Sequence, residues 1–189
     1  GAADLITMRG HQLLTEADVI IYAGSLVNPE LLQYAKASCS IYNSASMTLE
    51  EVIDVMKQAE AKNQMTVRLH TGDPSLYGAI REQMDQLDKD NISYDVVPGV
   101  SSFCGAAAAL KAEYTLPNVS QSVIITRMAG KTPVPEKEEI ALLAAHQATM
   151  VIFLSTGMLE QLSQRLLAGG YQTDTPAAIV YKATWNDEK

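Results

Sequence analysis

Short apolar runs alternate with capped helical stretches along most of this chain, and that alternation limits the fold more than any other feature. Val19-Ile20-Ile21-Tyr22 is the kind of run shown by a parallel strand covered on both faces. Asn28-Pro29 behind it supplies an N-cap and a first helical residue, so a helix over about 30–36 is predicted. Ser40-Ile41-Tyr42 is followed by Thr48-Leu49-Glu50-Glu51, a capping box that opens a helix running to about Lys62. Met65 to Leu69 predicts a strand. Beyond it, Asp73-Pro74 places a capping carboxylate ahead of a proline, with Leu76, Ile80, Met84 and Leu87 spaced along one helical face. Tyr94-Asp95-Val96-Val97 predicts another strand, leading through Pro98-Gly99 into an alanine-rich helix across 106–109.

A second series follows a Pro/Asn/Ser-bearing link over 113–121. Val123 to Thr126 and Met150 to Leu154 predict strands, with helices near 138–145 and up to about 168, and Ala178-Ile179-Val180-Tyr181 predicts a further strand. Such alternation implies an α/β protein with parallel or mixed sheets flanked by helices. The aperiodic link divides it into an N-terminal α/β domain, 1–116, and a C-terminal α/β domain, 117–189.

With 47% hydrophobic and 19% charged residues, and no apolar run near the ~18–20 residues a membrane span requires, the 189 residues read as a globular protein without a membrane partner. A net charge of −8 argues against nucleic acid, whose phosphates call for a basic footprint. Cys39 and Cys104 make neither a metal spacing nor a disulfide framework, which fits a cytoplasmic protein, and His11, His70 and His146 form no ligand cluster; no metal site is expected. The chain opens Gly1-Ala2-Ala3-Asp4 without an initiator methionine and closes just after a strand-like run, so both ends read as cut.

In open α/β sheets ligands sit beyond the carboxyl ends of strands, where loops present free amides at helix N-termini. His70-Thr71-Gly72-Asp73 and Pro98-Gly99-Val100-Ser101-Ser102 both stand at such places. Each can also be read as a well-capped turn that binds nothing. Two of them at one sheet edge favour a shared cleft. Neither GxGxxG nor a Walker loop is present, so the usual dinucleotide and nucleotide cradles are missing, and His70 near Asp73 has no serine elbow to make a hydrolase. Arg127 and Lys131 lie on a proline-stiffened loop after a strand; in so acidic a chain they suggest an anionic ligand, although a solvated loop has the same composition. Tyr77 is positioned either to line a pocket or to pack.

Five stretches occur in one order: Tyr22-Ala23-Gly24-Ser25-Leu26-Val27; HTGDPSLYGAI from His70; Val97-Pro98-Gly99-Val100-Ser101-Ser102; Thr126-Arg127 through Gly130-Lys131-Thr132-Pro133-Val134-Pro135; and Val180-Tyr181-Lys182-Ala183-Thr184-Trp185. Together they resemble the tetrapyrrole methylase family over essentially the whole chain. The resemblance implies two α/β domains with S-adenosylmethionine in the cleft between them, S-adenosylhomocysteine as product, and a homodimer. It implies methylation of ring carbon 11 of a reduced tetrapyrrole, precorrin-4 or cobalt-precorrin-4, in cobalamin biosynthesis. Cofactor contacts carried over by motif fall on Thr71, Gly72, Asp73, Leu76, Ser101 and Ser102, and on Leu154 and Ala183 in the second domain. The carboxylated substrate gives Arg127 and Lys131 a role, with Tyr77, Arg81 and Lys182 as further candidates. No catalytic residue is assigned, since an enamine carbon attacking a sulfonium demands no base.

The family opens with a strand and a Gly-x-Gly-Pro-Gly loop, and this chain starts at what reads as the glycine after that proline. The absent strand is expected to leave a central sheet position unpaired unless a partner copy covers it, and activity is expected of the complete protein rather than of this piece. Two alternatives remain: another activity of the family, on uroporphyrinogen, diphthine precursors or ribosomal RNA, and a nonenzymatic nucleotide-binding α/β module.

Overall fold

The computed structural model describes the backbone of all 189 residues and every side chain except that of Ser25. The chain forms two compact units, one made of residues 1–106 and 181–189, the other of 107–180. The division falls at 106/107, inside a helix, ahead of the aperiodic link at 113–121, and the last segment returns to the first unit.

The first unit is organised around β1 (Val19–Tyr22), which pairs in parallel with β2 (Ser40–Asn43) on one side and β3 (Thr66–Leu69) on the other. Val19 lies opposite both Ser40 and Thr66. Successive side chains of a strand point to opposite faces, and β1 uses both. Val19 and Ile21 pack with Val52, Ile53, Met56 and Ala59 of α2 (Leu49–Glu60) and Leu87 of α3 (Arg81–Lys89). Ile20 packs the other way, with Leu14 of α1 (Met8–Glu16), Ala17, and Leu31 and Leu32 of the 3-10 segment Pro29–Tyr34. Ile20 and Ile21 are fully buried, each contributing about 1.5–3 kcal/mol through apolar burial. This double cover is why the run is apolar throughout.

Polar groups at the amino edge fix the register. The Asp18 carboxylate accepts from Lys36 Nζ at 2.6 Å and from the Met65 amide at 2.8 Å, so one side chain holds the starts of β1 and β3 together. The Lys36 ammonium, followed by the Met65 amide, holds the Asp18 carboxyl below its ordinary range. Thr48 and Glu51 form the reciprocal capping box of α2, as the sequence predicts. The helix expected over 30–36 is a 3-10 segment, with Asn28 accepting from the Glu30 amide.

Three expectations of local structure fail. The helix expected from Pro74 starts at Arg81. Residues 74–77 form a turn, and Tyr77 and Ala79 have left-handed φ of 57° and 51°. The cause is Asp73: its carboxylate accepts from the Ser75 amide and hydroxyl, closing a tight local turn in which the chain folds back over Pro74. Gly78 permits that fold, since a Cβ there would overlap the Pro74 carbonyl. Residues 94–97 and 178–181 form no strand. A strand requires a hydrogen-bonded neighbour along its length; among the described residues none pairs with 94–97, and in 178–181 only Tyr181 exchanges backbone hydrogen bonds, with Lys189, while Val96 and Ile179 remain largely exposed. Conversely α1, capped by the Thr7 side chain accepting from Gly10, was not foreseen.

In the second unit β4 (Val123–Arg127) pairs in parallel with β5 (Thr149–Phe153), Arg127 lying opposite Phe153. α5 (Ile140–Ala144) and α6 (Leu159–Ala168) pack on each other so closely at Gly169 that a Cβ there would overlap Ala144. Glu139 caps α5 by accepting from the Ala141 amide at 2.7 Å and pairs with Arg165 of α6. Among the described residues no helix is long and apolar enough to cross a membrane.

Candidate functional site

At the carboxyl edge of β3 the chain passes through His70-Thr71-Gly72-Asp73. Gly72 has φ +60°, a conformation that favours glycine. It lies against the second loop: a Cβ on Gly72 would stand 3.3 Å from Ser101 Cα, 3.4 Å from the Val100 oxygen and 3.6 Å from the Ser102 nitrogen. Gly99 makes the reciprocal approach, where a Cβ would overlap the Gly72 carbonyl. The two loops are tied by the Gly99 amide donating to Asp73 Oδ2 at 3.0 Å. Asp73 therefore serves both its own turn and the neighbouring loop. Hydrogen bonds from Ser75, then from Gly99, hold its carboxyl below the ordinary value.

Ser101 is buried and its carbonyl accepts from the Cys104 and Gly105 amides, which starts α4 (Ser102–Leu110). Thr71, Gly72 and Ser102 are exposed, so loop backbone and the first turn of α4 are open to a ligand. Ala183 joins this group from the far end of the sequence: a Cβ on Gly105 would meet Ala183 Cβ at 3.4 Å and Thr184 Cγ2 at 3.1 Å. The first unit thus gathers Gly72, Asp73, Ser101, Ser102 and Ala183, although Ala183 was expected in the second domain. Leu76 is held to the same turn by its amide, which donates to the Asp73 carbonyl at 3.2 Å.

Beneath this edge Arg68 donates to the Ile21 carbonyl at 3.0 Å and to Gln83 Oε1 at 3.1 Å, and burial lowers its pKa. His70 sits above it. Desolvation first, and the charge of Arg68 second, depress the imidazole pKa from 6.5 to about 4, so His70 is neutral at neutral pH.

The second unit has its own carboxyl-edge loops. Leu154, directly after β5, has φ 55° and is 73% exposed, while the adjacent Ser155 is 1% exposed. Ser155 Oγ accepts from the Met128 amide at 3.1 Å and donates to the Phe153 carbonyl at 2.7 Å, which locks the two loops together. No motif pointed to Ser155; its signal was a small polar residue directly after an apolar run.

The candidate cations stand in different circumstances. Arg127 Nη1 donates to the Met128 and Thr132 carbonyls, each at 3.1 Å, and Nη2 to the Pro133 carbonyl at 2.8 Å. Lys131 is exposed, and its ammonium has no ionic or hydrogen-bonded partner among the described residues. Arg81, the first residue of α3, pairs with Asp85 at 2.8 Å. Lys182 pairs with Asp187 at 2.6 Å, which raises its pKa, and lies 5.6 and 5.4 Å from the ring centres of Tyr181 and Trp185. Tyr77 is 44% exposed on its left-handed turn. Cavities of about 540 Å³ at the amino ends of β4 and β5, and of about 520 Å³ beside α1, are lined by none of these residues.

The sequence matches the model of the Tetrapyrrole (Corrin/Porphyrin) Methylases over residues 1–189. It is 57% identical over 189 residues to the cobalt-precorrin-4 C(11)-methyltransferase of Methanocaldococcus jannaschii, covering all of this chain and 73% of the relative. It is 44% identical over 190 residues to the precorrin-4 C(11)-methyltransferase of Mycobacterium tuberculosis, covering all of this chain and 76% of that one. The X-ray structure of a cobalt precorrin-4 methyltransferase, a cobalamin biosynthetic enzyme, superposes with a TM-score of 0.98 at 45% identity, over all of this chain and 79% of the other. Uroporphyrin-III C-methyltransferase of Thermus thermophilus, solved with S-adenosyl homocysteine, shares the fold at 22% identity, with a TM-score of 0.77 over 98% of this chain and 75% of that one. The chain belongs to the tetrapyrrole (corrin/porphyrin) methylase family.

Proposed function

We propose that the protein transfers a methyl group from S-adenosylmethionine to ring carbon 11 of precorrin-4 or cobalt-precorrin-4, as the names of the relatives above describe for them. The observation that carries the cofactor reading is the contact of two loops at Gly72 and Ser101-Ser102, where a side chain on Gly72 would occupy the place from which a ligand meets exposed backbone. Residues of this kind fit a nucleoside-bearing sulfonium: backbone donors from the first turn of α4, the half-buried Leu76, and the small Ala183 beside α4. When bound, the sulfonium supplies an electrophilic methyl group and a good leaving group.

This chain's own task is placement. An enamine carbon of a reduced tetrapyrrole is already nucleophilic, so in-line approach and exclusion of water account for what the protein has to add. The Gly99–Asp73 hydrogen bond holds the loops in register, and neutral His70 adds no charge beside a cationic sulfonium. Substrate carboxylates call for a cation, and Lys131 has an available ammonium. A homodimer in the cytoplasm belongs to the same reading.

The full-length protein, titrated with S-adenosylhomocysteine in a calorimeter and then supplied with S-adenosylmethionine and each tetrapyrrole, tests this. Saturable binding and a product heavier by one methyl group are expected from precorrin-4 or its cobalt form. Binding without methyl transfer favours the nonenzymatic module, and transfer to uroporphyrinogen alone favours another activity of the family.

A further inference from the structure

Arg127, the last residue of β4, and Lys131 on the loop after it are both cations, and their surroundings separate their roles. A guanidinium is a planar fork with five donors and no acceptor. In Arg127 the two terminal nitrogens bridge the beginning of the loop, at the Met128 carbonyl, to its far side, at the Thr132 and Pro133 carbonyls. Inside that closure the Gly130 amide donates to the Thr132 carbonyl at 3.2 Å, making a tight turn with Lys131 at its tip. The base of the loop is anchored independently, since the Met128 amide donates to the buried Ser155 hydroxyl. Pro133 and Pro135 restrict the exit. All three side-chain hydrogen bonds of Arg127 go to carbonyls of its own loop and engage both donors of Nη1 and one of Nη2, so a carboxylate could reach Nη1 only by displacing a carbonyl. Lys131 carries no such obligation.

We propose that Arg127 is a positioning residue: its guanidinium closes the 128–133 loop and thereby presents the Lys131 ammonium to a carboxylate of the anionic substrate. The inference rests on the proposed function for the identity of that substrate, but the closure of the loop does not. Lysine cannot replace arginine here, because a single ammonium group does not span three carbonyls on both sides of a loop. If Arg127 acted as a charge, lysine would serve nearly as well.

Two measurements on the full-length protein test this. In the first, without ligands, trypsin cleavage of the Lys131–Thr132 bond is followed by mass spectrometry. Arg127→Lys and Arg127→Ala are expected to be cut at least about tenfold faster than the wild type, because local opening controls access to the bond. In the second, the Michaelis constants for the tetrapyrrole and for S-adenosylmethionine are measured in Arg127→Lys, Arg127→Ala, Lys131→Gln and the Arg127→Ala/Lys131→Gln double variant. Each single change is expected to raise the tetrapyrrole constant about tenfold, leaving that for S-adenosylmethionine within about twofold. The double variant is expected to be no worse than either single one, since a lysine no longer presented has nothing left to lose. Wild-type behaviour of Arg127→Lys in both measurements, or multiplying effects in the double variant, overturns the proposal by making Arg127 an independent charge contact. Faster cleavage with an unchanged Michaelis constant also overturns it, since the closure would then present nothing. Arg127→Lys and Lys131→Gln decide the question even if Arg127→Ala does not fold. Absence of turnover on any tetrapyrrole in the wild type refutes the proposed function, while the cleavage pattern still judges the closure.

Discussion

Replacing Gly99 with alanine is expected to drive apart the two loops of the proposed cofactor site. The added Cβ would overlap the Gly72 carbonyl oxygen and stand 3.0 Å from its carbon and 3.5 Å from Asp73 Cα. These are backbone atoms, so no rotamer change relieves the contact, and carbon atoms prefer separations of about 3.5–4.0 Å. The loops have to separate by roughly 1 Å, which costs about 1–3 kcal/mol as overpacking. Such a shift also lengthens the 3.0 Å bond from the Gly99 amide to Asp73 beyond hydrogen-bond range. A bond of that kind to a charged group contributes about 1.5–3 kcal/mol, with the lower end appropriate because Asp73 is only half-buried and keeps its Ser75 partners. The sum, about 2–5 kcal/mol, corresponds to a drop in Tm of roughly 5–15 °C for a chain of this length. Calorimetric titration with S-adenosylhomocysteine is expected to show affinity falling at least about tenfold. Asp73→Asn weakens the same tie, so combining it with Gly99→Ala should cost less than the sum of the two. Unchanged affinity and Tm in Gly99→Ala, or fully additive effects in the pair, would refute the reasoning.

Gly72→Val adds a branched side chain at φ +60° and against Ser101, and is expected to weaken S-adenosylhomocysteine binding by more than it lowers stability, each by about 1–3 kcal/mol; titration and thermal melting of one preparation check this. Half-buried, neutral His70 has a folded pKa of about 4 against an ordinary 6.5, so the unfolded chain binds the proton first and stability falls as pH drops from about 6.5 towards 4, by at most about 3 kcal/mol. His70→Gln should flatten that part of a denaturation profile. Asp18 and Asp73 have lowered folded pKa values, so their contribution is complete above the ordinary 3.8 and is lost as pH falls through the folded values; Asp18→Asn should reduce the acid sensitivity of urea unfolding below about pH 4. Ile20→Ala is expected to cost about 2–5 kcal/mol by opening a cavity between β1 and α1, read from the urea midpoint.

What could be read from the sequence follows the range of the interactions involved. Strands β1, β3, β4 and β5 and the capping box at Thr48 are local patterns, and they formed where the residues predict. Residues 94–97 carry an equally apolar pattern, but a strand is a relation between two segments, and that run has no paired neighbour among the described residues. The turn after Pro74 failed for the opposite reason. Asp73-Pro74 is a sound helix opening by local rules, yet Asp73 turns its carboxylate to Ser75 and to Gly99, a residue 26 positions away. The nearness of Gly72 to Ser101 and Ser102 was anticipated from two loops sharing a sheet edge, whereas motif resemblance marked Ala183 but placed it in the second domain, not beside α4. Arg127 shows the limit most plainly. Sequence marks a cation on a stiff loop; only geometry shows that three of its donors bind carbonyls of that loop, while the Lys131 ammonium has no ionic or hydrogen-bonded partner among the described residues.

The central claim is the transfer of methyl to carbon 11, and carbon NMR of the product formed by the full-length protein from S-adenosylmethionine labelled in its methyl group tests it most directly. One labelled methyl on ring carbon 11 of precorrin-4 or cobalt-precorrin-4 is the expected result. Label on any other ring carbon, or bound S-adenosylmethionine that leaves the tetrapyrrole unlabelled, would contradict it.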